Sequence, residues 1–305
     1  MTLTERPRGA VYGFDVYAPF PFSTLRPPAG LPRLEVATQT VAPRSEGDTL
    51  VAEVAEPGFL ARIFTDGETY RLWVDGVGWF DIDPRVPRII APPDVNPLDR
   101  EELLLGVPAL LCFLHHGNAS LHAAAIDIGG EAVLLVAPQA HGKSTLAAAF
   151  AQRGYRVLSE DVSCIRLADP PRVVPGPRSL RLRDDVARRF ELPMARTLHR
   201  RPDRTRYVFA DRASDPLPIR TLVLLRQSSG AIRIEATEPM RSLPDLWQAS
   251  FRLTRTLERR CFASIATLAN AVPVVELHRP LVIEALGPTV EAVLEACGAA
   301  EPAYA

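Results

Sequence analysis

The chain has 305 residues, of which 47% are hydrophobic and 23% charged, and its formal net charge is −1. This length allows one large or two modest domains with real cores, and the composition excludes disorder as the default state of the whole chain. A near-neutral charge argues against nucleic-acid binding, because nucleic-acid binders usually carry a basic excess. The four cysteines are scattered without a CxxC pair, which argues against a zinc site or a disulfide framework. There is no apolar signal core and no apolar run near the ~20 residues of a membrane span, so we expect a cytoplasmic protein without membrane contact.

One residue stands out in the composition. Of the 35 basic residues, all are arginine except Lys143. Lysine is a compact point charge on a thin stem, whereas arginine is a wide planar fork. The single lysine therefore indicates a position where an arginine side chain could not perform the same role. The alternative is that a lysine remains at this position by chance.

Residues 1–100 are predicted to form a β-rich N-terminal region. Short alternating or β-branched runs mark its strands: residues 10–17, 33–41 and 59–82. Within the last run, Asp66-Gly67 and Asp75-Gly76 are strong hairpin-turn dipeptides. Residues 101–305 are predicted to form a second domain.

From residue 97 onward the sequence predicts alternating helices and strands. A helix is expected from Pro97 to about His116, with a kink at Pro108. A tight hairpin turns at Gly129-Gly130, and the strong helix formers that begin at Lys143 end at Gly154. Further expected strands are 155–158, 222–225, 232–234 and 272–277, and further expected helices are 243–252, 254–271 and 282–296.

The segment from Ala137 to Ser144 lies between a predicted strand and a predicted helix, and it is similar to the phosphate-loop pattern G-x-x-x-x-G-K-[ST]. Its last three positions match, while Ala137 replaces the first glycine and Pro138 removes one N–H donor. Such a loop wraps backbone N–H groups around a phosphate at a helix N-terminus. Lys143 would bridge the β- and γ-phosphates from an open position, and Ser144 would ligate Mg²⁺. The residues expected to bind the nucleotide are Ala140, His141, Gly142, Lys143, Ser144 and Thr145.

The alternative interpretation of residues 137–144 is an ordinary strand–turn–helix without a bound phosphate.

An acidic pair, Glu160-Asp161, ends the next predicted strand. Adjacent side chains of a strand point to opposite sides, so one carboxylate could face a metal ion while the other faces an acceptor hydroxyl. A solvated acidic turn is the alternative interpretation of this pair.

From His122 to Asp161 the sequence resembles the catalytic core of HPr kinase/phosphorylase and its relatives, which share a fold with phosphoenolpyruvate carboxykinase. That core has a histidine at the start of a strand–hairpin–strand unit, then a phosphate loop, then a strand that ends in two acids. In this sequence the three parts are residues 122–130, 137–144 and 153–161. Two further segments, 174–182 and 12–16, resemble HPr-kinase-like kinases of peptide natural-product clusters, some of which phosphorylate a serine of a lasso-peptide precursor.

The resemblance implies an α/β fold: an HPr kinase/phosphoenolpyruvate carboxykinase-like P-loop core with a mixed sheet, preceded by the β-rich region. It implies a kinase that uses ATP and Mg²⁺ and phosphorylates a serine hydroxyl of a peptide or small protein, for example a lasso-peptide precursor. By the same resemblance Glu160 is the catalytic base, and His122 hydrogen-bonds or orients it. Lys143 completes the catalytic set, and Asp161 lies beside the metal with Ser144. Association into a homo-oligomer is left open.

Two other functions remain open from the sequence. A nucleotide-binding scaffold that has lost turnover would explain Ala137, Pro138, the glutamate at Glu160 where the family has aspartate, and the missing Glu-x-Arg-Gly-x-Gly signature. A kinase of free serine or a similar small hydroxyl compound is the other.

Several polar residues are interpreted as having no role in chemistry. They are His115 and His116 near a helix end and Asp127 in the hairpin. The side chain of His141 is expected to face solvent within the loop, and contact with a phosphate is its alternative. The arginine-rich segment from Arg196 to Arg206 is interpreted as a solvated, mobile loop, with binding of a nucleotide phosphate or an acidic peptide as its alternative.

Overall fold

The computed structural model describes residues 6–43, 46–56, 58–200, 203–211, 213–252 and 254–298. Contacts divide the chain into two compact units: unit 1 is Met1–Asn118 with Arg252–Arg259, and unit 2 is Ala119–Phe251 with Arg260–Ala305. None of the described helices is long and apolar enough to cross a membrane. The α/β class predicted from the sequence is confirmed, because mixed sheets and helices occur together.

Unit 1 is built on an eight-stranded sheet, as far as its described residues show, with the order β1-β2-β3-β8-β7-β6-β5-β4. The strands are β1 (Gly9–Val11), β2 (Phe14–Tyr17), β3 (Arg33–Thr38), β4 (Thr49–Glu56), β5 (Phe59–Thr65), β6 (Tyr70–Val74), β7 (Gly78–Asp83) and β8 (Arg88–Ala91). The two Asp-Gly turns join β5 to β6 and β6 to β7, which confirms the predicted meander. The expected strand 10–17 is instead a hairpin, because Tyr12 and Gly13 both adopt positive φ, of 49° and 76°.

The helix expected from Pro97 to His116 is two helices, α1 (Pro97–Leu104) and α2 (Val107–His115). Asn96 caps the first, because its side chain accepts a hydrogen bond from Leu98 N at 2.9 Å. Gly106 and the proline near the start of α2 separate them. Both helices pack on strands of the unit 1 sheet, so they belong to unit 1, whereas the sequence boundary at residue 101 places nearly all of them in the second domain.

A buried carboxylate of α1 joins this helix to a distant loop of unit 1. Glu101 is 3% exposed and accepts hydrogen bonds from Ser23 N at 2.7 Å, Thr24 N at 2.7 Å and Thr24 Oγ1 at 2.5 Å. Asp15 is buried in a similar way and accepts from Ala29 N at 2.9 Å and Leu31 N at 3.0 Å. In both cases backbone N–H groups hold the carboxylate, so these acids stabilise loop conformations.

The described residues of unit 2 form a nine-stranded sheet and a three-stranded sheet. The larger has the order β12-β10-β11-β18-β14-β13-β9, with β20 on β18 and β19 on β20. Its strands are β9 (Ala119–Leu121), β10 (Ala123–Ile128), β11 (Glu131–Val136), β12 (Arg156–Ser159), β13 (Ser163–Arg166), β14 (Arg172–Val174), β18 (Leu217–Gln227), β19 (Arg233–Thr237) and β20 (Val274–Arg279). The smaller sheet is β15 (Ser179–Arg183), β17 (Arg204–Phe209) and β16 (Ala195–Arg200), in that order.

Helices cover both faces of the larger sheet. One face packs against α3 (Lys143–Gln152) and α7 (Leu286–Ala296), which follows a 3₁₀ turn at Ile283–Ala285. The other packs against α5 (Pro239–Ala249) and the part of α6 (Arg255–Ala271) that lies in unit 2. A four-residue helix, α4 (Asp184–Ala187), follows β15. The apolar runs of β10 and β11 are buried on both faces for this reason.

The topology brings several strand ends to one edge of the sheet. Strands β11, β18 and β20 are parallel neighbours, so their carboxyl ends meet there. Strand β10 is antiparallel to β11 and β12 is antiparallel to β10, which places the start of β10 and the end of β12 at the same edge. The residues that precede β10 and follow β11, β12 and β20 are therefore neighbours in space.

The interpretation of residues 196–206 as a loop is wrong. Most of this segment lies on β16 and β17, which pair antiparallel to each other. Burial explains the difference, because β17 pairs with strands on both sides and Thr205, Arg206 and Val208 are buried there, whereas a solvated loop would be exposed. Arg201 lies outside the described residues, and Arg200 is described only in its backbone.

Candidate functional site

The segment between β11 and α3 forms a loop with unusual backbone geometry. Ala140 and Gly142 both adopt left-handed conformations, with φ of 65° and 76°. A non-glycine residue with positive φ is uncommon and tends to mark a functional segment. Helix α3 begins directly after Gly142 with no side-chain cap, so its first N–H groups point toward the loop. Thr145 lies in this first turn.

The loop is held from outside by Arg279, which ends the last parallel strand. This guanidinium is 2% exposed, and its Nη2 donates to His141 O at 3.0 Å and Gly142 O at 3.4 Å. The His141 ring turns back onto the loop, with Nδ1 2.9 Å from Gln139 O. These contacts restrict the conformation of the turn that precedes α3.

Lys143 lies inside the loop. Its Nζ is 3.0 Å from Ala137 O, 3.4 Å from Pro138 O and 2.8 Å from His122 Nε2. The residue is 7% exposed, so the open position expected for this lysine is wrong: the loop closes over the side chain. Two carbonyl oxygens and an imidazole nitrogen therefore hold the ammonium group in one place.

His122 joins the lysine to the acidic pair. Because an ammonium group has no lone pair, it donates to Nε2, and the ring proton is assigned to Nδ1. That nitrogen lies 3.3 Å from Asp161 Oδ1. The family resemblance predicts a contact between His122 and Glu160, but this ring lies between Lys143 and Asp161 instead.

Glu160 contacts the start of α3. Its Oε1 accepts a hydrogen bond from Ser144 Oγ at 2.5 Å, and its Oε2 lies 3.4 Å from Arg181 Nε. Arg181 also donates from Nη2 to Asp161 Oδ2 at 2.7 Å. One guanidinium therefore spans both acids, and one acid reaches the first turn of α3.

The two acids differ in their electrostatic surroundings. Burial raises the pKa of Glu160 above its ordinary value, against the opposing charge of Arg181. Burial acts in the same direction on Asp161, but the hydrogen bond from His122 and the charge of Arg181 outweigh it and lower that pKa. Burial also lowers the pKa of Lys143, against the pull of both acids. Asp161 is therefore the acid that stays ionised, and Glu160 is the one that takes up a proton more readily.

The structure brings together five of the residues singled out in the sequence: His122, Lys143, Ser144, Glu160 and Asp161. Sequence reasoning assigned no role to Arg181 or Arg279. Position gives the missing signal for Arg279, which ends a parallel strand at the same sheet edge as the loop. Arg181 alternates with the buried Leu180 and Leu182 on β15, which places it on the opposite face of that strand.

Four other polar residues singled out in the sequence are not part of this constellation. Asp127 Oδ1 accepts from Gly130 N at 2.9 Å and its Oδ2 pairs with Arg156, so its role is structural, as expected. His115 and His116 end α2 in unit 1. Arg206 lies opposite Arg181 in the ladder between β15 and β17.

One hydroxyl oxygen in the first turn of α3 fits Mg²⁺. Ser144 Oγ is a hard oxygen ligand, which suits Mg²⁺ held by one or two protein oxygens and substrate phosphates. Asp161, the expected metal ligand, is engaged with His122 and Arg181. Among the described residues, no group of three or more His, Cys, Asp or Glu side chains has the geometry of a metal site.

Among known proteins, similarity is found with solved structures. No protein-family profile and no curated protein matches the sequence. Among solved structures, the HPr(Ser) kinase/phosphatase from Coxiella burnetii is similar to this chain, with 12% sequence identity, coverage of 58% of this chain and 95% of that chain, and a TM-score of 0.33. We therefore infer the function from the contacts of the site itself.

Proposed function

We propose that the protein is an ATP- and Mg²⁺-dependent phosphotransferase that phosphorylates a serine hydroxyl. The contacts of Lys143 carry this proposal: the only lysine of the chain is held within hydrogen-bond distance of Ala137 O and His122 Nε2, at the uncapped start of a helix. An ordinary strand–turn–helix has no reason to bury an ammonium group in its own turn, since burial of a charge costs free energy.

The loop supplies what a triphosphate requires. The first N–H groups of α3 and the positive end of its dipole favour a phosphate. Lys143 would exchange its contacts with loop carbonyls for oxygens of the β- and γ-phosphates, and Ser144 would contribute one oxygen to Mg²⁺. Bound Mg²⁺ would neutralise charge on the phosphate oxygens.

Phosphoryl transfer requires a group that accepts the proton of the acceptor hydroxyl. A bond forms between the acceptor oxygen and the γ-phosphorus, and the bond from that phosphorus to the bridging oxygen breaks with its electron pair on ADP. The acceptor proton passes to a carboxylate, and the raised pKa of Glu160 suits that role, because a base is most effective when its pKa is nearer the working pH. The pair of His122 and Asp161 would orient Lys143.

The acceptor is proposed to be a serine of a peptide or small protein. A lasso-peptide precursor, a cytoplasmic location and homo-oligomer formation stay predictions from the sequence. The catalytically impaired scaffold is the competing function, and it predicts nucleotide binding without transfer.

The test follows labelled γ-phosphate from ATP to serine-containing peptides in the presence of Mg²⁺, together with calorimetry of ATP binding. We expect transfer by the parent protein and a loss of about 10²- to 10⁴-fold in Glu160→Gln, which removes the proton acceptor. Glu131→Gln is the matched control, because Glu131 pairs with Arg220 at 2.7 Å at the opposite end of β11. Binding without transfer by the parent would favour the scaffold, and equal transfer by parent and Glu160→Gln would remove Glu160 as the base.

A further inference from the structure

The three-stranded sheet of unit 2 concentrates positive charge. Residues 179–209, which form this sheet and its connections, contain nine arginines and four acids, an excess of five positive charges. The whole chain has a formal net charge of −1, so the rest of the chain is acidic. Such an asymmetry attracts anionic partners and accelerates their binding. The sheet is therefore a candidate surface for a negatively charged ligand.

Strand register places the charged residues of this sheet on one face. Arg181 and Arg183 of β15 lie opposite Arg206 and Arg204 of β17, respectively. Positions that lie opposite each other on paired strands share a face, and so do positions two apart on one strand. By the same register, two residues of β16 lie on this face. The residues that we call the arginine face are Arg181, Arg183, Arg196, His199, Arg204 and Arg206.

The arginine face is accessible at its margins. The opposite face of β15 packs Leu180 and Leu182 into the core that includes α3, so the arginine face points away from that core. At the centre Arg206 is 9% exposed, whereas the side chains of Arg183 and Arg204 are 74% and 50% exposed. A ligand would therefore meet guanidinium groups on both sides of a deeper central residue.

Neighbouring acids compensate this charge only in part. Arg183 pairs with Asp185 at 2.9 Å and Arg204 with Asp203 at 3.4 Å. Ion pairs between exposed side chains contribute little to stability, so an incoming carboxylate can replace either acid. Arg196 is exposed and has no ion-pair partner in the described part of the chain.

Arg181 joins the arginine face to the candidate site. Its guanidinium lies 3.4 Å from Glu160 Oε2 and 2.7 Å from Asp161 Oδ2. A chain that crosses the face beside Arg181 therefore passes next to Glu160, the proposed base. With strands about 4.8 Å apart, β16 lies about 10 Å from β15, which about three residues of an extended peptide span.

A peptide fits this face better than the triphosphate of a nucleotide. Glu160 lies between Ser144 of the phosphate loop and Arg181. Asp161 lies between Arg181 and His122, which contacts the lysine of the loop. Two carboxylates therefore separate the loop from the arginine face, and they would repel a triphosphate that reached across them. A peptide that crosses the face can bring its serine to Glu160 while its other side chains meet the arginines.

We propose that the arginine face docks the peptide acceptor and selects a peptide that carries carboxylates about three residues from its serine. The inference rests on the proposed function, and it narrows the acceptor from any serine peptide to an acidic one. Complementary charge supplies selectivity for such a peptide and a higher association rate.

The experiment measures peptide affinity by calorimetry. The probes are the blocked heptapeptide Glu-Glu-Glu-Ser-Glu-Glu-Glu and its neutral counterpart, in which glutamine replaces every glutamate. Arg196→Glu reverses one charge of the arginine face. Arg241→Glu is the matched control, because Arg241 is an exposed arginine of α5, which packs on the other face of the larger sheet from α3. Thermal unfolding checks that both variants fold.

We expect the parent to bind the acidic peptide at least about tenfold more tightly than the neutral one. Arg196→Glu should weaken binding of the acidic peptide by about tenfold and of the neutral peptide by less than about twofold, whereas Arg241→Glu should change either affinity by less than about twofold. Equal affinity of the parent for the two peptides, or equal losses in the two variants, would overturn the arginine face as the docking surface.

Transfer of labelled γ-phosphate from ATP to the acidic peptide separates this inference from the proposed function. Transfer by the parent, with a higher KM for the acidic peptide in Arg196→Glu only, supports both. Transfer to both peptides with equal KM would overturn the acidic acceptor while the phosphotransferase stands. Selective binding of the acidic peptide without transfer would overturn the proposed function while the arginine face stands as a peptide-binding surface.

Discussion

Two buried glutamates, one in each unit, show how differently this chain uses a carboxylate. Glu101 in unit 1 is 3% exposed and Glu160 in unit 2 is 9% exposed. Glu101 accepts from two backbone N–H groups and a hydroxyl, all between 2.5 and 2.7 Å. Glu160 accepts from Ser144 at 2.5 Å and lies 3.4 Å from Arg181 Nε, so its partners are both side chains.

The difference lies in what the partners can do. Backbone N–H groups are fixed by the chain around them, so they hold one arrangement. A serine hydroxyl and a guanidinium can rotate away, so they can release a carboxylate to another partner. Burial also raises the pKa of Glu160. Depth of burial does not distinguish a structural acid from a candidate catalytic one, whereas the mobility of its hydrogen-bond partners does.

Beside that of Glu160→Gln, the largest expected effect is at Lys143. Lys143→Arg keeps the charge but places a wider group among Ala137 O, Pro138 O and His122, where the ammonium fits now. We expect phosphoryl transfer to fall on the order of 10²-fold or more, because a preorganised contact to the transferring group is lost. Lys143→Met, which keeps the length and loses the charge, should do no better.

Arg153→Lys provides the control for this exchange. Arg153 follows α3 at its other end and pairs with Glu291 at 3.0 Å, so the reverse exchange of the same two head groups lies far along the helix from the loop. We expect its transfer rate to match that of the parent. Near-normal transfer by Lys143→Arg would make the lone lysine a compositional accident.

A smaller effect, on stability, is expected at Glu101. A glutamine at this position has one acceptor oxygen and an NH₂ group that faces donors, so a backbone N–H of Ser23 or Thr24 loses its acceptor. We expect Glu101→Gln to lower the free energy of unfolding by about 2–3 kcal/mol, measured by denaturant titration. Glu102→Gln, one position along the helix and less buried, should change it by about 0.5 kcal/mol at most. An unchanged free energy of unfolding in Glu101→Gln would contradict the structural role given to this acid.

The sequence predicts the local parts of both units well. Hairpin turns at Asp66-Gly67, Asp75-Gly76 and Gly129-Gly130 depend on residues that prefer the turn, and the structure has all three. Helix α3 ends before Gly154, whose φ is 85°. Each of these features is determined within a few residues of chain.

Contacts between segments that are distant in the chain could not be predicted from the sequence. The acids at the start of α1 suggest a helix dipole effect, yet Glu101 bonds to residues 77 and 78 positions away. The preference of His122 for Asp161 over Glu160 depends on how two strands bring their ends together. The arginine-rich segment is polar in composition, but antiparallel pairing between β16 and β17 places it on strands. In each case, burial and pairing outweigh local composition.

The smallest effect is expected at Gly142, and it tests whether the loop needs its shape. Alanine here would adopt a φ of 76°, and its Cβ would lie 2.8 Å from Arg279 Nη2. Gly129 has a φ of 66° and nothing within 4 Å of an added Cβ, so Gly129→Ala carries the backbone strain without the clash. Both variants should lose about 1 kcal/mol of stability.

Only Gly142→Ala should also weaken ATP binding, by about tenfold in calorimetry, because the displaced guanidinium gives up its contacts with His141 O and Gly142 O and the turn before α3 shifts. Equal ATP affinity in the two variants would mean that Arg279 does not support the loop. Glu101 of unit 1 is held by backbone N–H groups of Ser23 and Thr24, whereas this loop depends on the Arg279 side chain from another strand. A change in ATP affinity confined to Gly142→Ala is therefore the sign of a site whose geometry is maintained from outside the segment that forms it.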